Sequence, residues 1–152
     1  MSESQTATKE PSNQPEFAIG HIYIKDSSFE IATPMHRLSE WKPDAKITRE
    51  CTYQALENKT YEVQLRVTVS VKSNDEKAFI AEVQQAGSFI INNFSEQQLE
   101  HLLESYCPSI LLPYLRQALS SSITLGGFPP FFLPPIDFES EYQHKKAAKA
   151  TS

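Results

Sequence analysis

The clearest hydrophobic pattern is the strict alternation of YEVQLRVTVSVK, residues 61–72. Apolar side chains occupy every second position from Tyr61 to Val71, and polar ones alternate with them from Glu62 to Lys72. Alternation with many β-branched residues is typical of a strand that buries one face. The pattern therefore predicts a half-buried strand.

Three further segments favour strands, with weaker patterns. They are FAIGHIYIKD (17–26), residues 45–54 and AFIAEVQQAGSFII (78–91). The sequence SNDE (73–76) is rich in turn-forming residues, so the last two strands are expected to form a hairpin.

The periodicity becomes helical after Ser95, which forms a capping-box pattern with Gln98. Apolar side chains then recur at spacings of three and four through residues 99–123. Pro108 and Pro113 interrupt this helix, because each removes a backbone donor and bends the axis.

Gly126 and Gly127 predict the end of the long helix. Asp137 or Ser140 is expected to cap a short last helix that carries aromatic residues on one side. Strands followed by helices indicate an α+β fold with an antiparallel sheet. The long helix must cover one sheet face, and the apolar surface left over favours self-association.

The segment FPPFFLPPI (128–136) lies in a run from Gln117 to Ile136 without a charged side chain. Its prolines and glycines exclude a membrane-spanning helix. Two interpretations stay open: a loop strapped over its own core, or an apolar wall that accepts extended, unfolded polypeptide. Trp41 poses the same choice, since it either caps the core or lines a groove.

Length and composition indicate one domain of 152 residues, with a net charge of −5. We expect residues 1–15 to be a disordered tail and residues 143–152 a flexible one. The polar N-terminus has no signal-peptide pattern. Cys51 and Cys107 lie far apart in the sequence, which favours a reducing, cytoplasmic location and free thiols.

Charge argues against a nucleic-acid partner. Arg116 is the only Lys or Arg between Lys77 and Lys145, an interval rich in Asp and Glu. Nucleic acids require clustered Lys and Arg, so a basic protein is the more plausible partner. For the acids themselves, a merely solvated surface role is the alternative.

Residue spacing indicates no catalytic group, metal or cofactor. The four histidines are scattered, and the glycine-rich phosphate-binding motifs are missing. His21 is expected to be a sheet-surface residue. Cys107 is read as a small apolar residue beside a helix kink, with a nucleophile as the alternative.

Several motifs together resemble the SecB family of bacterial protein-export chaperones. In chain order they are HIYIKDSSFE (21–30), YEVQLRVTV (61–69), AEVQQAGSF (81–89), ESYCPSILLPYLRQ (104–117) and GGFPPFFLPPIDF (126–138). The resemblance covers about residues 17–139, within a chaperone domain expected at 16–142.

This resemblance implies a four-stranded antiparallel sheet, a long helix and a short last helix, assembled as a dimer of dimers. It implies a protein without enzymatic activity or nucleotide use that holds precursor proteins unfolded in the cytoplasm. The clients then pass to the motor ATPase SecA, whose basic, zinc-containing tail is the expected contact.

The resemblance also assigns residues to three roles. Those matching SecA contacts are Asp26, Glu30, Ile80 and Glu82. Those matching assembly positions are Phe79, Ala81, Val83 and Gln85. Those expected to line a client groove are Trp41, Phe128, Phe131, Phe132, Leu133 and Ile136. The C-terminal tail departs from the often acidic family tail, since it carries Lys145, Lys146 and Lys149. An auxiliary SecA contact through an acidic tail is therefore not implied.

The alternative from another class is a small-molecule or lipid-binding α+β domain, in which the aromatic loop covers one pocket. It predicts a monomer or dimer with a stoichiometric apolar ligand. A third reading is an enzyme that depends on Cys107.

Overall fold

A computed structural model describes residues 13–150. Its sheet consists of β1 (Glu16–Ile31), β2 (Pro43–Ala55), β3 (Thr60–Ser73) and β4 (Glu76–Asn92) in the order β1-β4-β3-β2. Every neighbouring pair is antiparallel. The four predicted strands are confirmed, and β1 continues to the end of the SSFEI segment.

The β3–β4 hairpin and the buried face of β3 follow the sequence closely. Asn74 and Asp75 have φ angles of 51° and 66°, the conformation that a tight two-residue hairpin turn requires. The apolar positions from Val63 to Val71 are buried. Their polar neighbours form the opposite sheet surface, which we call the outer face.

The helical region contains α1 (Glu96–His101), a π-helical turn (Leu102–Tyr106) and α2 (Cys107–Leu125). The capping box is present: the Gln98 amide donates to Ser95 Oγ at 3.2 Å, and the Ser95 amide donates to Gln98 Oε1 at 3.0 Å. The wide π-helical turn lies just before Pro108, which has no amide to donate. The predicted interruption of the helix is thus a local change of winding.

Helix α2 covers the sheet face opposite the outer face, packing on β4 and β3. Its buried stripe includes Leu111, Leu115 and Leu119. At the closest approach, a Cβ on Gly87 of β4 would lie 2.9 Å from Leu111 Cδ2. The glycine of the AEVQQAGSF motif therefore allows the helix to contact the sheet directly.

Helix α2 ends at the predicted glycines. The Gly126 amide donates to the Ser122 carbonyl at 3.0 Å, and Gly127 has a φ of 84°, which favours glycine. Asp137 then caps α3 (Phe138–Ala150), because Asp137 Oδ1 accepts from the Ser140 amide at 3.0 Å.

The predicted short last helix is confirmed as α3, which continues to Ala150. Residues 143–150, predicted as a flexible tail beyond a domain ending at 142, lie within this helix. Lys145 holds this extension by donating to Glu104 Oε1 at 2.6 Å. At the other end, most of the expected N-terminal tail, residues 1–12, lies outside the described residues.

Candidate binding surfaces

The aromatic loop, residues 128–136, has no regular secondary structure and connects α2 to α3. Its four prolines deny it regular backbone pairing. The loop is fixed at its start, where the Phe128 amide donates to the Ile123 carbonyl at 3.3 Å. It is fixed again where Ser120 Oγ donates to the Phe131 carbonyl at 2.9 Å. The first part of the loop, from Phe128 to Phe131, is therefore attached to the last turns of α2.

The inward side of the aromatic loop belongs to the core. Phe128 is only 3% exposed, and its ring centroid lies 4.6 Å from that of Phe79 and 5.8 Å from that of Trp41. Leu133 is equally buried. Both were expected to line a client groove. In this conformation both side chains have almost no accessible surface.

The outward side of the loop presents apolar surface to solvent. Phe132 is 76% exposed, and Leu125, at the end of α2, is 88% exposed. Phe131 and Ile136 are half-buried against the core, as is Trp41. Trp41 thus both caps the core through Phe128 and keeps part of its own surface accessible. Both of its open readings are compatible with this position.

A cavity of about 460 Å³ opens between β2 and α3. Tyr53, Leu65, Phe138 and Tyr142 give it apolar walls. Two ion pairs close its rim: Arg49 donates to Glu141, with one of its two bonds at 2.8 Å, and Lys145 donates to Glu104.

The sequence motifs do not reveal the β2 side of this cavity. Every second residue of β2 faces α3, so Arg49, Cys51 and Tyr53 lie on the same side of the strand and line the cavity. Because Arg49 is charged, these positions lack the regular apolar alternation that identifies β3.

The two cysteines lie in environments that disfavour thiolates. Cys107 is buried, and burial raises the pKa of its thiol to about 12. Cys51 is exposed in the wall of the cavity, where partial loss of water contact raises the pKa of its thiol to about 11. A nucleophilic cysteine requires the opposite shift. The structure therefore gives no support to a Cys107-dependent enzyme.

Glu139 attaches the start of α3 to the π-helical turn. It accepts from Ser105 Oγ at 2.6 Å and from Gln143 Nε2 at 2.9 Å, and it contacts His101 Nε2 at 2.6 Å. These contacts, that of Ser105 first, lower the Glu139 pKa to about 2. The Ser105 hydroxyl and the His101 ring both contact Glu139 Oε2. The serine hydroxyl therefore donates to the carboxylate and not to the histidine, and these contacts anchor α3.

The positions expected to contact SecA share the outer face. Glu30 pairs with Ile80 across β1 and β4, and Ser28 pairs with Glu82. Asp26, two residues before Ser28, lies on the same side. Ile80 is 43% exposed, an apolar side chain among charged neighbours. The acidic residues and the aromatic loop are therefore on opposite sides of the sheet.

The positions expected to govern assembly alternate with those contacts along β4. Phe79, Ala81, Val83 and Gln85 are all buried on the α2 side of the sheet. Gln85 Nε2 donates to the Tyr23 carbonyl of β1 at 2.9 Å. Within one chain these side chains position α2 and β1, and none of the four is available for direct contact with another molecule.

Apolar surface remains uncovered on β1 and on α2. Ile19, Ile24 and Ile31 are exposed on the edge strand β1, and Tyr106 and Tyr114 are exposed on the helical segment. Exposed apolar side chains are typical of contact sites when they form one continuous patch.

Among residues 13–150, no helix is long and apolar enough to span a membrane. Within the same range, no group of three or more His, Cys, Asp or Glu side chains is placed to hold a metal ion.

Comparison with known proteins gives one family. The model of the SecB family, preprotein translocase subunit SecB, matches residues 10–149. Similar relatives include protein-export protein SecB of Pseudomonas fluorescens, 41% identical over 93% of this chain and 90% of the relative. The protein of the same name from Legionella pneumophila is 41% identical over 97% of this chain and 93% of the relative.

A solved structure supports the same fold. A SecB-like chaperone from Mycobacterium tuberculosis, in complex with a peptide from an antitoxin, superposes with a TM-score of 0.67 at 14% identity. The match covers 80% of this chain and 91% of that protein.

Proposed function

The chain belongs to the SecB family of protein-export chaperones, and from that premise we propose that it binds unfolded precursor proteins without ATP and delivers them to SecA. The proposed setting is the bacterial cytoplasm, before translocation. The observation that carries the proposal is the exposed apolar side of the aromatic loop, centred on Phe132.

An exposed ring on a proline-rich loop suits a client without fixed structure. The rigid loop loses little conformational entropy when it binds, and extended polypeptide offers apolar side chains that a folded protein hides. Binding then competes with client folding and requires little sequence specificity. Several such sites on one assembly would raise the overall avidity through effective concentration.

We assign the direct client contacts to the accessible part of the predicted set. These are Phe132, with Phe131, Ile136 and Trp41 contributing their exposed edges. Phe128 and Leu133 support the loop from the core. This division follows from burial alone and makes separate predictions for the two groups.

SecA binding is proposed for the outer face, at Asp26, Glu30, Ile80 and Glu82. Three carboxylates that share a sheet face with one exposed aliphatic side chain suit a basic segment with some apolar character. Because this surface lies across the sheet from the aromatic loop, motor and client can be bound at the same time. That geometry suits transfer of a client.

Assembly as a dimer of dimers is proposed through β1 and α2. The uncovered apolar residues of both elements supply the surface, and the buried positions beneath them set its shape. Phe79, Ala81, Val83 and Gln85 would then act on assembly indirectly, by holding α2 and β1 in place.

The experiment tests the two proposed surfaces separately, with one substitution in each. Glu82→Lys should abolish SecA binding in a calorimetric titration and leave retention of an unfolded, slow-folding polypeptide unchanged. Phe132→Ser should do the reverse. Asp44→Lys, the same charge change on the outer face of the edge strand β2, is the matched control for Glu82→Lys. If both activities fall together in a folded variant, the proposed separation is wrong.

A ligand-binding domain is the second candidate, because the cavity between β2 and α3 has the size of a small-molecule pocket. Its rim of Arg49, Glu104, Glu141 and Lys145 disfavours a purely apolar ligand. Recovery of a lipid or other apolar molecule at one per chain would favour this candidate.

A further inference from the structure

The carboxylate of Glu82 already has a cation beside it. Its Oε1 lies 3.4 Å from Arg66 Nε, and its Oε2 accepts from Thr68 Oγ1 at 3.2 Å. All three side chains project from the outer face. A basic partner that approaches Glu82 therefore meets a positive charge belonging to the chain itself.

The guanidinium is also held from its other side. Arg66 Nη2 donates to Gln84 Oε1 at 3.3 Å, which directs the Gln84 amide nitrogen towards Gln64. Gln64 in turn donates to Glu62, which has an exposed fraction of only 8%. The side-chain amides of Gln84 and Gln64 therefore donate in the same direction, away from the Arg66 cation and towards the Glu62 anion.

Glu62, on β3, is the last residue of this series of contacts and is bound by two side chains of the edge strand β1. It accepts from Tyr23 and, at 2.8 Å, from Lys25 Nζ, both on β1. Arg66 therefore keeps Gln84 as a partner when its contact with Glu82 is lost. Displacement from Glu82 does not require Arg66 to lose all its hydrogen bonds.

We propose that Arg66 is an internal counter-ion of Glu82 that a cation of the motor must displace, and that it thereby limits the affinity of the complex. The inference rests on the proposed function, in which Glu82 contacts a basic segment of SecA. A delivery complex must dissociate, so a built-in competitor for the contact carboxylate favours release.

The size of the effect follows from exposure. The Arg66 and Glu82 side chains are 45% and 35% exposed, so solvent screens the pair strongly. Exposed pairs of this kind correspond to about a two- to fivefold change in an equilibrium constant. Removing Arg66 should therefore strengthen SecA binding by about this factor, and high salt should remove the difference.

The test titrates full-length SecA of the same bacterium into the intact assembly by calorimetry. Arg66→Gln should bind about two- to fivefold more tightly than wild type, and Arg66→Lys should resemble wild type. Lys46→Gln is the matched control, because it removes one positive charge from the same face on β2, away from Glu82. The double variant Arg66→Gln/Glu82→Gln should bind like Glu82→Gln alone.

Each other result overturns the proposal in a distinguishable way. Equal or weaker binding by Arg66→Gln, while Glu82→Gln weakens binding, means that Arg66 orients Glu82 or is neutral, and the proposed SecA surface stands. A gain that persists in the Glu82→Gln background means a general charge effect. No wild-type binding, or full binding by Glu82→Gln, overturns the SecA contact itself along with this inference.

Discussion

Truncating two phenylalanines of the same loop separates stability from client binding. Phe128→Ala removes a ring that is 3% exposed and packs against Phe79, Phe29 and Trp41. Replacing a buried Phe by Ala leaves a cavity and lowers the free energy of unfolding by about 3–5 kcal/mol. Phe132→Ala removes a ring that is 76% exposed, so its cost should be within about 0.5 kcal/mol.

Client binding should follow the opposite order. A client side chain that covers about half of the Phe132 ring contributes about 0.7–1.4 kcal/mol, which corresponds to a three- to tenfold loss of affinity in Phe132→Ala. Phe128→Ala, assayed under conditions where it is folded and its loop keeps its position, should lose less client affinity than Phe132→Ala.

Urea unfolding at a fixed protein concentration measures the first quantity, and suppression of refolding of a slow-folding polypeptide measures the second. The reasoning is refuted if Phe132→Ala destabilises the protein by more than about 2 kcal/mol, since an exposed ring cannot do so. It is also refuted if Phe132→Ala binds clients like wild type.

Three further predictions concern the fold. Gly87→Val should cost several kcal/mol of unfolding free energy in urea, because its side chain would overlap Leu111; a loss below about 1 kcal/mol would show that α2 can move away. Ser95→Ala should cost about 1 kcal/mol in the same measurement through loss of the capping box, and no change would mean that α1 is held by packing alone. Because the folded-state pKa of Glu139 is lowered from 4.5 to about 2, its contribution is full above pH 4.5 and is lost as the pH falls towards 2. Urea unfolding at pH 5 and pH 3 should therefore show a larger loss for wild type than for Glu139→Gln, and equal losses would contradict the assignment.

The sequence was most informative where local and tertiary preferences agree. Residues 61–72 alternate because one face is covered by α2, so the periodicity directly records the burial. The Ser95 capping box and the Asn74–Asp75 turn are likewise local, and both are confirmed. The family resemblance, now confirmed, added the identification of this fold as that of a protein-export chaperone family.

The rest depended on contacts between distant segments. The aromatic loop shows no periodicity that separates Phe128 from Phe132, because its prolines leave neither a helical nor a strand repeat. The helical extension beyond residue 142 depends on Lys145 meeting Glu104, which lies 41 positions earlier. The SecA, client and assembly roles stay predictions, although burial now sorts their residues into accessible and supporting groups.

The central claim is tested most directly by light scattering after size exclusion, with and without an unfolded, slow-folding polypeptide, in the absence of ATP. We expect a species of four chains that retains the unfolded polypeptide, ignores its folded form and loses retention with Phe132→Ser. A monomer that retains neither form would contradict the account, and a tetramer whose retention is unaffected by Phe132→Ser would contradict the role of the aromatic loop.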